Sequence, residues 1–395
     1  LPFVLARVFR PTFLDVFEIT NLELGTAFSL YGIVAMAAYF AGGPLADRFS
    51  ARRLMAAALV ATGLGGAVLA GVPSIPVMNG LWAFWGLTSI LLFWAAMLRA
   101  TREWGGVANQ GRAYGLLDGG RGLLAAVIAS ATVVVFAMLL PSDASTATPD
   151  EIEAAFRAVI WVFTGFTLFV AFLVWVVVPD NAPTSDQGDR PKLSLKGLQG
   201  AFKMPAVWLQ AVIVVCAYVG YKATDDFSLL ARDALGFDDV AASAIGTLSF
   251  WIRAVTAVAA GYLGDRIDSS RVIAWGFGIV IAGSALIASG WLAPGVAWML
   301  IATITATGVG IYALRGVYFA LLAEGAVPLA FTGSAIGVVS LVGFTPDVFM
   351  GPLMGVLLDN SPGVVGHQHV FAVVAAFGVI GLAATIAFRR VTQRA

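Results

Sequence analysis

Six basic residues interrupt runs that are otherwise apolar: Arg7, Arg10, Arg121, Lys222, Arg253 and Arg315. Four acids do the same: Asp118, Asp225, Asp226 and Asp347. A charge in an apolar medium is costly, so each one marks a pair, a water-filled cavity or a pathway. Arg253 is the sharpest. At helical spacing its neighbours are Gly246, Ser249, Phe250, Thr256 and Ala257, a small and polar face that suits water better than hydrocarbon. No acid lies close by on its own run, so its guanidinium calls for an anion. A substrate carboxylate, phosphate or sulfonate, held by a planar fork of donors, would supply one. The competing reading is an ion pair with Asp347 or Asp226 of another run.

The remaining charges divide between binding and gating. Arg121 stands three residues after Asp118, as a substrate ligand or as half of a self-satisfied pair. Gly119, Gly120 and Gly122 around it permit close helix approach. Lys222 is spaced to meet Asp225 and Asp226 and reads as a gate network. Arg315, flanked by Tyr312 and Tyr318, also suits a gate. Asp347 follows Pro346, where the missing N–H weakens the backbone ladder; with Asp118 it is a candidate proton carrier, a plain salt bridge being the alternative. Trp94, Tyr312 and Tyr31 are candidate cavity walls, and Trp82 and Trp85 suit an interfacial belt. His367 and His369 fall in a short polar connection and read as loop residues, and the one cysteine, Cys216, reads as a small buried hydrophobe. No nucleophile–base pair, metal cluster or phosphate loop is present in the sequence, so neither an enzyme nor a cofactor is expected.

These side chains must be held by membrane-spanning helices. Hydrophobic residues make up 59% of the 395 and charged residues 12%, about half the charge a soluble domain needs for its surface. Eleven apolar runs are long enough to span: 24–46, 54–73, 76–100, 113–140, 157–179, 204–231, 241–264, 271–290, 295–321, 329–358 and 368–388. Alternate connections hold fifteen Lys and Arg, whereas the opposite set holds two, Arg157 and Arg232. That asymmetry places the first set, and the C-terminus, in the cytoplasm. The zero formal net charge gives no reason to expect nucleic acid.

The chain also repeats itself. Residues 43–53 read GPLADRFSARR and residues 261–271 read GYLGDRIDSSR, an offset of 218. The same offset places Phe93-Trp94 on Ile311-Tyr312 and Arg7 on Asp225. It also calls for a first helix of which only Leu1 to about Arg7 is present, so the natural chain is expected to begin upstream. The domains expected are a bundle over 1–179, a polar linker over 180–203 and a second bundle over 204–395. The fold class is therefore all-α polytopic membrane protein, with two six-helix bundles related by pseudo-symmetry.

The two motif copies, the duplication, the charge asymmetry and the linker together resemble the major facilitator superfamily. Its Gly-x-x-x-Asp-Arg-x-Gly-Arg-Arg pattern stands in the loop after helix 2, with a weaker copy after helix 8. The first copy departs from the pattern at Ser50 and Ala51. The resemblance implies alternating access around a midplane site, with the motif residues at the cytoplasmic gate. Asp47 and Arg48 would pair with Arg99, Arg102 or Glu103, and Asp265 and Arg266 with Glu324. The helix-8 position of Arg253 is similar to that in the oxalate–formate, monocarboxylate and nitrate branches, while helix 5 lacks the proline of drug–proton antiporters. The function expected is a monomeric bacterial inner-membrane transporter moving a small anion, driven by protons or by exchange with a counter-substrate. Arg253 would bind the anion, Arg121 and Arg7 would assist, and lipid would surround the bundle. The rival readings are efflux of amphipathic compounds and a membrane sensor with the transporter fold.

Overall fold

The structure, a computed structural model, describes residues 2–105, 110–180, 200, 202–291, 297–325, 327 and 332–393. Among these the regular structure is entirely helical. Eleven helices are long and apolar enough to cross a membrane. The first unit by contact holds Leu1–Asp186, Gly236–Thr247 and Gly351–Gly355; the second holds Gln187–Leu235, Leu248–Met350 and Val356–Ala395. Most of the expected linker 180–203 lies outside the described residues.

The chain begins with α1 (Pro2–Val8) and α2 (Arg10–Phe17), then α3 (Asn21–Arg48), α4 (Ala51–Ala70) and α5 (Ile75–Gly86). A π-helical segment, Leu87–Trp94, carries α5 into α6 (Ala95–Gly105), followed by α7 (Gln110–Leu139) and α8 (Pro149–Val177). Side-chain caps set several starts. Thr20 accepts from the Glu23 amide at 3.2 Å while Glu23 accepts from the Thr20 amide at 2.8 Å, satisfying two otherwise orphaned donors of α3. Thr148 and Glu151 repeat the device on α8. Ser50, the departure from the family pattern, caps α4 by accepting from the Arg53 amide at 3.3 Å.

The second half supplies α9 (Pro205–Ala223), a 3-10 turn over Thr224–Asp226, α10 (Phe227–Leu235), α11 (Asp239–Ile267) and α12 (Ser269–Ala288). It continues through α13 (Ala297–Val317), α14 (Leu321–Glu324), α15 (Thr332–Gly343), α16 (Pro346–Asn360) and α17 (Val364–Thr392). In the second unit α17 packs against α9 and α12, α12 against α13, and α9 against α15.

Three expectations about the elements need correction. The stretch 11–23, counted by its lack of a long apolar run among the connections poor in Lys and Arg, is not a loop: helix continues to Phe17, because Pro11 sits where a helix tolerates a missing N–H. The run 329–358 is two helices, broken at Phe344-Thr345 before Pro346. The run 204–231 is interrupted by the turn Thr224–Asp226.

Within the first unit, small residues let backbones touch. A Cβ on Gly25 would collide with the Gly351 carbonyl, and one on Gly355 would collide with the Leu22 backbone. Gly119 and Gly120 do not serve this purpose: a Cβ on either meets nothing within 4 Å. Trp82 and Trp85 are wholly buried. Their rings stand 4.9 Å apart, and Phe13 and Phe28 pack against Trp82. They are core residues rather than an interfacial belt, because their faces are consumed by ring contacts.

Candidate functional site

In the first unit the π-helical segment gathers three of the expected residues. Widening a helix by one residue per turn rotates the side chains that follow, and such segments recur at functional sites. Ser89, on that segment, shares a 2.7 Å hydrogen bond with the Tyr31 hydroxyl of α3. The Phe3 ring stands edge-on to Tyr31 at 4.6 Å. Trp94 ends the segment, and the Arg121 guanidinium of α7 lies over its ring at 5.2 Å. Tyr31, Trp94 and Arg121 thus line related parts of one bundle. Arg7 lies buried in α1, 2% exposed. The Asp118 side chain, and with it the expected pairing with Arg121, lies outside the described residues.

The second unit holds a denser constellation at two backbone interruptions. Lys222 ends α9 and Asp225 lies in the turn that follows; their charged atoms stand 3.3 Å apart, and each side chain is 3% exposed. Asp347, in the first turn of α16, lies 3.5 Å from the same ammonium. The Tyr218 hydroxyl donates to the other Asp347 oxygen at 2.9 Å. Pro346 explains the placement: the helix must begin there, and its free N–H groups favour a carboxylate in the first turn. Asp226 does not join Lys222 as expected. It faces the other way, toward His367.

Arg315 completes this cluster. Its guanidinium lies 3.8 Å from the Tyr221 ring centre and 5.2 Å from that of Tyr218. Its Nη1 is buried without a hydrogen-bond partner, and so is the hydroxyl of Tyr312, one helical turn earlier on α13. The sequence showed Tyr312 and Tyr318 beside Arg315, but the two tyrosines of α9 come only from tertiary packing. Arg253 sits midway along α11, half-buried and already engaged within the chain. Asp347 pairs with Lys222 and Asp226 with His367.

The motif residues are described only in part. Arg99 donates to the Ala46 and Phe49 carbonyls at 2.6 and 3.3 Å and to Glu103 at 2.6 Å, closing the end of α3. Arg52 and Arg53 bind Asp180 at 2.6 and 3.1 Å. A hydrogen bond from Ser50, with Arg53 and Arg52 beside it, holds the Asp180 carboxyl below its ordinary value. The side chains of Asp47 and Arg102 lie outside the described residues, and Arg48 is exposed. In the second copy Arg266 stacks on Tyr262 and donates to its hydroxyl. Glu324 accepts the Ser270 amide at 3.1 Å. It therefore caps α12 rather than meeting Arg266, because the Asp268 side chain accepts from no backbone amide of that helix. Asp265 is exposed.

His367 and His369 are not loop residues. Both lie in α17, with His367 wholly buried and His369 exposed. No group of three or more His, Cys, Asp or Glu suited to a metal occurs among the described residues.

The sequence profile of the Major Facilitator Superfamily matches residues 3–230. The Escherichia coli (strain K12) inner membrane protein YqcE is 25% identical over 384 residues, spanning 94% of this chain and 87% of its own. Inner membrane protein YihN of the same strain is 24% identical over 393 residues, spanning 96% and 90%. Among solved structures, the nucleoside transporter NupG superposes with a TM-score of 0.70 at 16% identity, over 98% of this chain and 96% of that one. A bacterial homolog of the human lysosomal transporter Spinster, inward-facing and unoccupied, gives 0.71 at 15% identity, over 100% and 96%. At such identities the structural likeness speaks for the fold alone.

Proposed function

This chain belongs to the Major Facilitator Superfamily, and we propose that its cargo is a small organic or inorganic anion. It is a transporter rather than an enzyme, working by alternating access. The observation that carries the anion reading is Arg315. A guanidinium taken out of water forfeits several kcal/mol of hydration. Two tyrosine faces return about 1 to 2 kcal/mol each at best. Nη1 and the hydroxyl of Tyr312, three residues earlier on the same helix, are both buried without a hydrogen-bond partner among the described residues, which leaves two donors unserved. A carboxylate, phosphate or sulfonate oxygen fits both. Arg253, Arg121 and Arg7 serve as further ligands along the path, with Tyr31 and Trp94 as walls of the first bundle.

Coupling to protons is part of the same reading, because an arriving anion brings a negative charge into a low-dielectric interior. Uptake of one proton by Asp347, with Asp118 as the alternative carrier, offsets that charge. In this reading the bundles 1–179 and 204–395 rock about the linker 180–203, and Asp47, Arg48, Asp265, Arg266 and Glu324 belong to the gate, with Lys222, Asp225 and Asp226 on the opposite side. The protein works as a monomer in the inner membrane, its C-terminus in the cytoplasm, as the Lys and Arg asymmetry of the connections supports.

The test is thermal stabilisation of the purified protein by a library of carboxylates, phosphates, sulfonates, nucleosides and lipophilic cations. A ligand that binds only the folded state raises its stability by mass action. The expected result is an anionic hit that Arg315→Ala abolishes and Arg315→Lys weakens. Hits confined to lipophilic cations or neutral compounds, or an anionic hit indifferent to Arg315→Ala, refute the reading.

A further inference from the structure

His367 meets a carboxylate on both sides of its ring. Nδ1 lies 2.6 Å from one Asp226 oxygen and Nε2 lies 3.1 Å from one Asp233 oxygen. The His367 and Asp226 side chains are 0% exposed, whereas Asp233 is 25% exposed. The second Asp226 oxygen is buried without a partner.

The protons in this trio can be counted. An ionised carboxylate only accepts, and a neutral imidazole donates from one nitrogen and accepts at the other. Two nitrogen–oxygen hydrogen bonds therefore require two protons. They sit either on an imidazolium between two carboxylates or on a neutral imidazole facing one carboxylic acid. With a single proton, one contact becomes two lone pairs face to face. Such a contact is repulsive, and it opens on whichever side can reach water.

We propose that His367, Asp226 and Asp233 form a proton-binding site, and that losing its proton releases Asp233 from the imidazole. Asp233 is the side that opens, for two reasons. Its bond is the longer one, and its carboxylate reaches solvent, whereas Asp226 has nowhere to turn. Asp233 also has Arg232 beside it at 3.7 Å, ready to hold the freed charge.

The surrounding elements bring few rival charges. Lys222, the only charge on α9, is held by Asp225 and Asp347. Arg271, the only charge on α12, is paired with Asp268 in the helix's first turn. Within α17, His369 is exposed and Arg389 and Arg390 stand in the last turn. On α10 the charges are Arg232 and Asp233 themselves.

The site is placed to matter. Asp226 shares the 3-10 turn Thr224–Asp226 with Asp225, which grips Lys222 and through it Asp347. A change at His367 thus pulls on one end of the Arg315 cluster through a three-residue turn. The proton site stands whatever the cargo is.

The experiment uses the full chain in detergent micelles, labelled with carbon-13 at histidine Cε1, with His369→Gln leaving one signal. The pH is varied from about 5 to 10, the range histidine pairs with carboxylates can span. The expected result is one conversion of the His367 signal within that range. Asp233→Asn is expected to move it by about one pH unit or more, a tenfold change in proton affinity. A signal that stays constant throughout, or a conversion unmoved by Asp233→Asn, overturns the site. Hydrogen exchange of residues 227–235 in the unaltered protein supplies a second reading that needs no variant. After correction for the chemical rate, exchange is expected to rise several-fold once His367 has converted. Equal exchange on both sides of the conversion overturns the release of Asp233.

Discussion

Replacing Lys222 by Met tests whether the second unit contains a desolvated charge network. The ammonium and the Asp225 carboxylate are each 3% exposed at a separation of 3.3 Å. Removing the cation takes from the buried Asp225 carboxylate a partner at 3.3 Å, and breaking a buried pair costs about 3 to 5 kcal/mol. Asp347 loses less, because it is 20% exposed and keeps the Tyr218 hydroxyl. At about 2 °C per kcal/mol for a chain larger than a small domain, Lys222→Met is expected to lower the melting temperature by roughly 6 to 10 °C. The double variant Lys222→Met/Asp225→Asn removes both charges, and replacing a whole buried pair is close to neutral. The double variant is therefore expected to melt above the single one, a reversal that only coupled charges produce. The chain carries its own reporter: its one cysteine, Cys216, is 4% exposed, so a thiol-reactive dye lights up on unfolding. A Lys222→Met variant that melts within a degree of the unaltered protein, or a double variant that melts lower still, refutes a coupled charge network.

The same melt separates two kinds of glycine. Gly25→Ala drives a Cβ into the Gly351 carbonyl, where backbone on both sides cannot yield, so a loss of about 1 to 3 kcal/mol is expected. Gly120→Ala meets nothing within 4 Å, and its helix gains about 0.5 to 1 kcal/mol of propensity, so it is expected to melt slightly higher. Asp180 supplies a pH test. Its folded carboxyl titrates below the ordinary value of 3.8, so its contribution is complete above that pH and is lost as the pH falls through the lower folded value. The stability gap between the unaltered protein and Asp180→Asn is accordingly expected to close as the medium is acidified, and to narrow in high salt because the pair is exposed.

Much of the architecture was legible in the sequence because membrane spans are written in long apolar runs. All eleven expected spans have counterparts, and the motif copies lie at the ends of α3 and α11. What hydropathy cannot carry is the interior of a run. Nothing in the run 76–100 marks the π segment, since the backbone change follows from tertiary packing rather than from composition. The break before Pro346 was half-legible, as a weakened ladder rather than a new helix. The pairing of charges was the least legible part. Spacing alone allowed Lys222 to meet both acids, but the turn at Thr224–Asp226 sends Asp225 and Asp226 in different directions. His367 looked like a loop residue because its neighbours in sequence are polar, and the helix start at Val364 changes its surroundings completely.

The places where sequence reasoning failed share a physical cause. A membrane helix satisfies its own backbone, and an interruption frees polar groups that hydrocarbon cannot serve. Interruptions are therefore tolerated only where protein or water surrounds them, and those are the same places where a charged side chain can survive. Ser89 and Trp94 lie on the π segment, Asp225 and Asp226 in the 3-10 turn, and Asp347 directly after the proline break. Arg315 is not at an interruption, yet two rings from the end of α9 wrap it beside one. Within each unit, charge and backbone irregularity are thus two symptoms of a polar interior, and each strengthens the functional reading of the other. A run carrying a charge within an unbroken helix, as at Arg253, lacks that second symptom. This is why the weight of the anion-binding argument moves from Arg253 to Arg315 once the backbone is seen.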